Sequence, residues 1–322
     1  MKGMQLKMDI LKYFPEKIEK LILEEVSKDF DKLEEIRIRN GRPIILKMND
    51  YEKIIKYNVI TEEILYCLQH ICENSIYSYQ NQISCGFITV KGGHRVGISG
   101  SCVIENGKVI NINYIYSLNF RVAREILGCS NKILKKIIYL EENTIHNTLI
   151  ASCPGAGKTT ILRDLIRQIS SGIKGMKFKA INVGVVDERG EITALYKGLP
   201  QNDIGIKVDI IENTEKSIGM NMLVRSMAPR VIVADEIGNA NDIVAINYAV
   251  CSGVKGIFTA HGSTMVDLSI NPIIKELILM NVIERIIFLD ENKKGNIKEI
   301  YYLDKKNKEY VTGEKYDSSK TY

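Results

Sequence analysis

"ASCPGAGKTT", residues 151–160, carries the strongest structural signal in this chain of 322 residues. A tight Pro-Gly turn leads into Gly-Lys-Thr, which is typical of a loop that wraps a phosphate group. Such a loop usually opens with glycine five positions before the glycine that precedes the lysine, and here that position is Ser152. Two interpretations are open: a nucleotide site with one altered residue, or a glycine-rich turn that contains a lysine.

The flanking sequence favours the nucleotide site. The apolar run at 147–152 predicts a short strand, and Ile161, Leu165 and Ile169 recur at helical spacing after the loop. A phosphate-binding loop requires this strand–loop–helix order, because the loop and the helix N-terminus turn their N–H groups toward the anion. We therefore expect ATP to be bound by Ser152, Cys153, Pro154, Gly155, Ala156, Gly157, Lys158, Thr159 and Thr160.

Three side chains of this loop have predicted roles. Lys158 would neutralise charge on the β- and γ-phosphates, the Thr159 hydroxyl would ligate Mg²⁺, and Thr160 would reach the α-phosphate. Gly155 and Gly157 allow backbone conformations and a close approach that a side chain would block.

A pair of acids follows another apolar run. Residues 230–236 read RVIVADE, so Asp235 and Glu236 end a segment whose lack of alternation is typical of a strand buried on both faces of a parallel sheet. Beside a phosphate loop, Asp235 would hold Mg²⁺ through water and Glu236 would act as general base on the attacking water. The alternative is an exposed acid pair at a strand end.

Glu188 and His261 follow two further apolar runs. Because the carboxyl ends of parallel strands gather at one edge of a sheet, both side chains are expected near the phosphate loop. Glu188 would then act on the metal or the water indirectly, through one of their direct ligands, and His261 would hydrogen-bond the γ-phosphate or the attacking water. The alternatives are a solvated loop for Glu188 and a structural hydrogen bond for His261.

The pattern along the chain predicts two domains. Residues 1–125 combine helical and alternating segments, with a hairpin around Asn40-Gly41, and predict a small α+β domain. A helical linker is expected at 126–144, a wound α/β domain at 145–310, where strands alternate with helices, and a polar tail at 311–322.

Composition limits the class of protein. Hydrophobic residues make up 45% and charged residues 26%, and the mild net charge of +5 fits an anionic ligand or a membrane surface but demands neither. The seven cysteines include no Cys-x-x-Cys pair, so neither a disulfide framework nor a zinc site is expected. No secretory signal is evident, and no segment approaches the ~18 apolar residues of a spanning helix. We expect a cytoplasmic protein that touches a membrane only from its surface.

Segments well beyond the phosphate loop are similar to one known family. The chain resembles the stage III sporulation protein AA family, which is related to the motor ATPases of type II and type IV secretion and of pili. The resemblance covers about residues 30–290 and is carried by EEIRIRNGRPI (34–44), GFITVKGGHRVGISG (86–100), NFRVAREI (119–126), CPGAGKTTILRDL (153–165), VVDERGEI (185–192), MNMLVRSMAPRVIVADEIG (220–238) and GIFTAHG (256–262). The chain departs from the family at Ser152-Cys153, where Gly-Pro is typical.

This resemblance implies an α/β fold: a RecA-like P-loop domain with a parallel-sheet core, preceded by a smaller α+β domain. It implies an ATPase in the cytoplasm of the mother cell, peripherally associated with the membrane at a channel to the forespore. The implied partners are an integral membrane protein of that channel and further copies of the chain, because secretion ATPases of this kind form rings that are usually hexameric. No nucleic acid is expected.

A ring would allow arginines of the N-terminal domain to complete the site. A P-loop and its acids leave γ-phosphate charge that an arginine commonly neutralises. Arg95, Arg121 and Arg124 are the candidates, and we predict that the last two lie about one helical turn apart and therefore face one way. The alternative is that these arginines cap strands or pair with neighbouring acids such as Glu125.

The P-loop domain offers three arginines of its own, Arg189, Arg225 and Arg230. Arg225 and Arg230 precede the strand that ends in Asp235, so we expect them at the opposite edge of the sheet.

Two other functions remain open at this point. A nucleic-acid-translocating P-loop ATPase would share the core, although the basic residues are dispersed, aromatic residues are only 7% and no nucleic-acid-binding motif is present. A nucleotide-binding scaffold with little turnover is the second alternative, and Glu236 argues against it.

Overall fold

A computed structural model describes residues 9–26 and 29–313. The chain divides into two compact units. The described residues up to Arg124 belong to the first unit together with 194–201, and 125–193 and 202–313 belong to the second. The predicted polar tail falls outside the described residues from position 314 onward.

The first unit is built on a six-stranded antiparallel sheet. In spatial order its strands are β3-β2-β1-β6-β5-β4. The strands are β1 (Leu33–Arg39), β2 (Pro43–Met48), β3 (Glu52–Asn58), β4 (Phe87–Thr89), β5 (Arg95–Glu105) and β6 (Lys108–Arg121), and the helices are α1 (Glu16–Val26), α2 (Thr61–Ile71) and α3 (Gln80–Ser84). The hairpin predicted around Asn40-Gly41 is present, since β1 and β2 pair antiparallel across it.

The end of β6 differs from the expected helical turn. Arg121 is the last residue of this strand, and Arg124 follows in an irregular segment. The prediction that these two arginines lie one helical turn apart is therefore wrong. Residues 108–121 alternate polar and apolar side chains over a long run, and their pairing with both β1 and β5 extends the strand to its end.

The second unit is built on an eight-stranded sheet in the order β13-β10-β14-β15-β9-β16-β17-β18. The first six of these strands run parallel, and the last two add an antiparallel edge. The strands of this part of the chain are β7 (Ile138–Tyr139), β8 (Thr144–Ile145), β9 (Thr148–Ser152), β10 (Val183–Asp187), β11 (Leu195–Tyr196), β12 (Leu199–Pro200), β13 (Val208–Glu212), β14 (Val231–Ala234), β15 (Lys255–His261), β16 (Arg285–Leu289), β17 (Ile297–Asp304) and β18 (Glu309–Thr312). The helices are α4 (Asn131–Ile137), α5 (Lys158–Ser171), α6 (Lys216–Met227), α7 (Ala240–Cys251), α8 (Met265–Ile270) and α9 (Pro272–Leu279).

Apolar cores cover both faces of this sheet, which explains why its central strands show no alternation. One core joins Val185, Val233 and Ile257 to the buried side of α5. The other joins Ile232 and Phe258 to α6, α7 and α9. Because these strands are parallel neighbours, their carboxyl ends form one edge, and the phosphate loop, both acidic segments and His261 all follow or end strands at that edge.

A short hairpin belongs to the first unit, although the residues before and after it in the chain belong to the second. Its strands β11 and β12 lie within 194–201, a range predicted to be part of the second domain. The Tyr196 hydroxyl and the Lys197 ammonium both donate to the Glu73 carboxylate, and the Gly92 N–H donates to Gln201 Oε1 at 2.8 Å. These hydrogen bonds attach the hairpin to the first unit.

A search of the described helices finds none that is both long and apolar enough to cross a membrane.

The contact between α6 and β10 generates a prediction about stability. A Cβ at Gly219 would lie 2.6 Å from Val186 Cγ1, and Val186 is buried and branched, so it cannot move aside easily. Gly219→Ala should lower the free energy of unfolding in urea by about 1–3 kcal/mol through overpacking, although alanine favours helix by about 1 kcal/mol. Gly175→Ala is the control, because nothing lies within 4 Å of its Cβ; equal stability of both variants would contradict the prediction.

Candidate nucleotide site

The loop between β9 and α5 has the backbone of a phosphate cradle. Gly155 and Gly157 have φ values of 79° and 98°, in the left-handed region where glycine is favoured. Nothing lies within 4 Å of the position of a Cβ at Gly155, so the loop borders free space at this residue. No side chain caps the N-terminus of α5, and its first N–H groups are available to an anion. These features fit a bound phosphate.

Ser152 takes part in this cradle without straining it. Ser152 is the last residue of β9, is fully buried, and has an ordinary extended backbone, unlike the two glycines. Lys158 Nζ donates to the carbonyl oxygens of Ser152 at 2.8 Å and Cys153 at 3.2 Å, and to Ser152 Oγ at 3.2 Å. Burial lowers the pKa of the Lys158 ammonium, while the carboxylates of Asp235 and Glu236 act in the opposite direction. An added anion would relieve this cost of burial.

Asp235 is held between two threonine hydroxyls. Thr159 Oγ1 donates to Asp235 Oδ2 at 2.7 Å, and Thr259 Oγ1 donates to Asp235 Oδ1. Thr259 is fully buried in β15 and also accepts from the Glu236 N–H at 2.7 Å. One hydroxyl thus fixes both the carboxylate of the first acid and the backbone of the second.

Glu236, the second residue after β14, does not continue the alternation of that strand. Val233 faces the α5 side of the sheet, so alternation places Asp235 on that side and would send Glu236 to the opposite one. Glu236 instead has a φ of 54°, a left-handed conformation that costs a non-glycine residue about 1–2 kcal/mol. Its carboxylate reaches His261 Nε2 at 2.8 Å and Arg189 at 2.5 Å.

His261 connects the loop lysine to this acid. Its Nδ1 lies 3.5 Å from Lys158 Nζ and its Nε2 lies 2.8 Å from Glu236 Oε1. A carboxylate can only accept, so Nε2 carries the proton that is donated to Glu236, and Nδ1 is the nitrogen that faces the Lys158 ammonium. The histidine is thereby assigned one tautomer and links two of the predicted site residues.

The acidic segment at the end of β10 contains a buried structural acid and a half-buried acid of the site. Asp187 is buried and accepts from the N–H groups of residues 191, 192 and 193 and from the Thr193 hydroxyl, so it shapes the turn. Glu188 points into the site and pairs with Lys216, the first residue of α6. A shallow cavity is lined by Asp187, Glu188, Arg189, Glu191, Lys216, Asp235 and Glu236.

Within residues 9–26 and 29–313, no group of three or more His, Cys, Asp or Glu side chains is arranged to hold a metal ion alone. Mg²⁺ needs less, because it keeps several waters and takes one or two protein oxygens together with phosphate oxygens. The hydroxyl of Thr159 and the carboxylate of Asp235 converge to 2.7 Å beside the cradle, and this donor set fits Mg²⁺.

The remaining loop residues lie around the cradle. Pro154 is exposed, Ala156 is buried and Thr160 is half-buried on the first turn of α5. Cys153 Sγ lies 2.9 Å from Ser263 Oγ and donates to Glu291 Oε1 at 3.4 Å.

The three N-terminal arginines belong to the first unit and contact residues there. Arg121 lies 3.8 Å from Glu35, Arg124 donates to Asn49 Oδ1 at 2.6 Å, and Arg95 lies over the Phe87 ring.

In the second unit, the structure brings Arg189 into the site and leaves the other two arginines elsewhere. Arg225 lies over the Tyr248 ring and Arg230 donates to the Glu142 carbonyl, in keeping with their expected place at the opposite edge.

Sequence reasoning missed Thr259 and Lys216 as parts of the site. Thr259 had a usable signal, because it lies two residues before His261 and alternation in a strand puts both on one face. Lys216 had none, since it reaches Glu188 from a helix 28 residues away along the chain.

The fold and this geometry define a RecA-like P-loop protein whose P-loop domain is preceded along the chain by a smaller α+β domain, which confirms the fold class expected from the sequence. A solved structure described as the Legionella pneumophila ATPase DotB has a TM-score of 0.56 and 15% identity, covering 93% of this chain and 79% of that one. The pilus retraction motor PilT with bound ADP has a TM-score of 0.54 and 17% identity, covering 83% of this chain and 77% of that one.

The family is settled by the sequence comparisons. The model of the family described as sporulation stage III, protein AA, matches residues 4–309. The stage III sporulation protein AA of Bacillus subtilis (strain 168) is 35% identical over 297 residues, which are 92% of this chain and 95% of that protein. The chain belongs to the sporulation stage III protein AA family.

The double role of Thr259 generates a prediction. Thr259→Val keeps the shape of the side chain but leaves the Asp235 carboxylate and the Glu236 N–H without their buried partner, so the free energy of unfolding should fall by about 1–3 kcal/mol. Thr259→Ser keeps the hydroxyl, so its free energy of unfolding should fall by less. Urea unfolding of the two variants beside the wild type measures the difference, and a valine variant at least as stable as the serine variant would contradict it.

Proposed function

We propose that this chain is a Mg²⁺-dependent ATPase of the secretion-motor type. One observation carries the proposal: Lys158, the Thr159–Asp235 pair and Glu236 converge at the carboxyl edge of one parallel sheet, around an open glycine loop. The structural likeness to an ATPase and to a pilus retraction motor with bound ADP supports it.

The chain's own groups would divide the work of hydrolysis. The loop N–H groups and Lys158 would bind the phosphates, with the ammonium moving from the carbonyl oxygens of residues 152 and 153 to the incoming anion. Glu236 would accept the proton of the attacking water. The N–H of His261 would orient the Glu236 carboxylate for this step.

Thr159 and Asp235 would hold the metal. When bound, Mg²⁺ would neutralise charge on the phosphate oxygens. Glu188 would be a further acid that lines the cavity, and Lys216 would balance its charge.

The proposed biological setting takes its support from the family. We infer that the protein acts in sporulation as an ATPase of the mother cell, associated peripherally with the cytoplasmic face of the membrane. There it would energise a channel or secretion complex between mother cell and forespore. Its partners would be an integral membrane protein of that complex and further copies of the chain in a ring, most simply a hexamer, without nucleic acid.

Two variants separate binding from turnover. Lys158→Ala removes the only loop side chain that can neutralise phosphate charge, and should abolish MgATP binding in calorimetry. Glu236→Gln keeps the shape of the side chain and removes the base, so it should bind MgATP normally and hydrolyse it at least ~100-fold more slowly.

Lys174→Ala, at an exposed lysine of the same unit, is the control and should match the wild type. Unchanged affinity in Lys158→Ala would refute the nucleotide site, and wild-type turnover in Glu236→Gln would move the role of base to Glu188. Binding without turnover in the wild type would favour a scaffold, and turnover stimulated by DNA would favour a nucleic-acid motor.

Shared sites in a ring generate a separate prediction. ATPase activity per chain should rise with protein concentration. Arg121→Ala should bind ATP but lose ~10³-fold or more in turnover, as expected when an arginine no longer stabilises the transferring phosphate. Arg121 is 60% exposed and its ion pair with Glu35 is long, so the loss would not come from unfolding.

Mixing Arg121→Ala with Lys158→Ala should restore part of the activity, because each variant completes sites that the other lacks. The exposed Arg42→Ala is the matched control. Activity independent of concentration, with no recovery in the mixture, would exclude shared sites.

A further inference from the structure

Arg189 is an arginine of the site that forms an ion pair with Glu236, the proposed base. Its Nη1 donates to Glu236 Oε2 at 2.5 Å, while His261 takes the other oxygen, Oε1. The Arg189 side chain is 60% exposed and that of Glu236 is 35% exposed. Ion pairs this open to water are weak, so a stronger anion can take the guanidinium away.

The backbone that carries Arg189 is fixed to the helix of the phosphate loop. Asp187 holds the turn from residue 191 to 193 through three N–H groups. Arg163 of α5 donates to the carbonyl oxygens of Glu191 at 2.9 Å and Ile192 at 2.8 Å. Arg189 therefore lies between the end of β10 and a turn that is hydrogen-bonded to α5, the helix that begins at Lys158. All of these hydrogen bonds lie within one chain.

The second cation of the cavity is placed differently. Lys216 is only 14% exposed and is paired with Glu188 rather than with Glu236. Lys216 balances the charge of Glu188 in a largely buried position, whereas the exposed Arg189 can exchange its carboxylate partner for another anion. Arg225 and Arg230 contact Tyr248 and Glu142 and are absent from this cavity.

We propose that Arg189 is a catalytic residue that binds the terminal phosphate of ATP in the site of its own chain, and in doing so releases Glu236. The inference rests on the proposed ATPase function and extends it. A guanidinium offers two parallel N–H donors to a phosphate and forms stronger hydrogen bonds to it than to one oxygen of an exposed carboxylate. The γ-phosphate would be the competing anion, and ADP, which lacks it, would leave Arg189 on Glu236.

This exchange would remove the cation from the base when there is a phosphate to transfer. While Arg189 and His261 both hold Glu236, its two oxygens are engaged as acceptors. Transfer of Arg189 to the γ-phosphate frees Oε2 to accept a proton from the attacking water, and the same movement places positive charge where negative charge develops.

Nucleotide affinity tests the proposal independently of turnover. In Arg189→Ala, the affinity for a non-hydrolysable ATP analogue with Mg²⁺ should fall by about 10- to 100-fold in calorimetry, which is the loss of one or two hydrogen bonds between charged groups. Affinity for ADP should be unchanged, and turnover should fall ~10³-fold. Arg189→Lys keeps the charge but lacks the two parallel N–H donors, so its affinity for the ATP analogue and its turnover should lie between those of Arg189→Ala and the wild type. The control Arg225→Ala should behave as wild type.

The outcomes separate this inference from the proposed function. A wild-type chain that binds no ATP would overturn both. A wild-type chain that hydrolyses ATP, beside an Arg189→Ala variant with unchanged preference for the ATP analogue over ADP, or with equal or faster turnover, would overturn only the role of Arg189. Mixing Arg189→Ala with Lys158→Ala should give no recovery, because both groups serve one chain's site; recovery would show that Arg189 acts on a neighbouring chain and would overturn the assignment.

Discussion

The carboxylate of Asp235, held by the hydroxyls of Thr159 and Thr259, fixes the geometry on which the rest of the site depends. It joins three elements that are far apart in sequence: the first turn of α5, the end of β14 and the end of β15. The joint is possible because β14, β15 and β9 are parallel neighbours whose registers end together, with His261 opposite Ser152. The sheet thus determines which side chains can meet, and the loops only complete the arrangement.

Glu236 shows how the site departs from the regular strand. Its left-handed backbone is unfavourable for a glutamate by about 1–2 kcal/mol, and the Thr259 hydroxyl, which accepts its N–H, helps to hold it. The result is an acid that leaves the alternation of β14 and joins His261 and Arg189 on the side of the phosphate loop. A local cost in backbone energy is therefore linked to the placement of the group proposed to act as base.

Much of this arrangement could be predicted from the sequence, because it depends on local patterns. The apolar runs, the glycine loop and the acids that follow each strand identify a wound α/β domain, and the rule that parallel strands share a carboxyl edge brings Glu188, Asp235 and His261 together. Contacts between distant segments could not be predicted. The pairing of Lys216 with Glu188 depends on where α6 begins in space, and the hairpin at 194–201 joins the first unit through Glu73, which is more than 100 residues away.

A serine is tolerated at position 152 because this residue belongs to the strand and the glycines of the cradle belong to the loop. The backbone needs glycine only where φ is positive, and in this loop those positions are 155 and 157, both after the strand has ended. Ser152 still belongs to β9, where a small side chain fits, and its hydroxyl and carbonyl both accept from Lys158. A serine at this place therefore gives the lysine a third acceptor besides the carbonyl oxygens of residues 152 and 153, so it changes how the lysine is held and leaves the backbone that would bind phosphate intact.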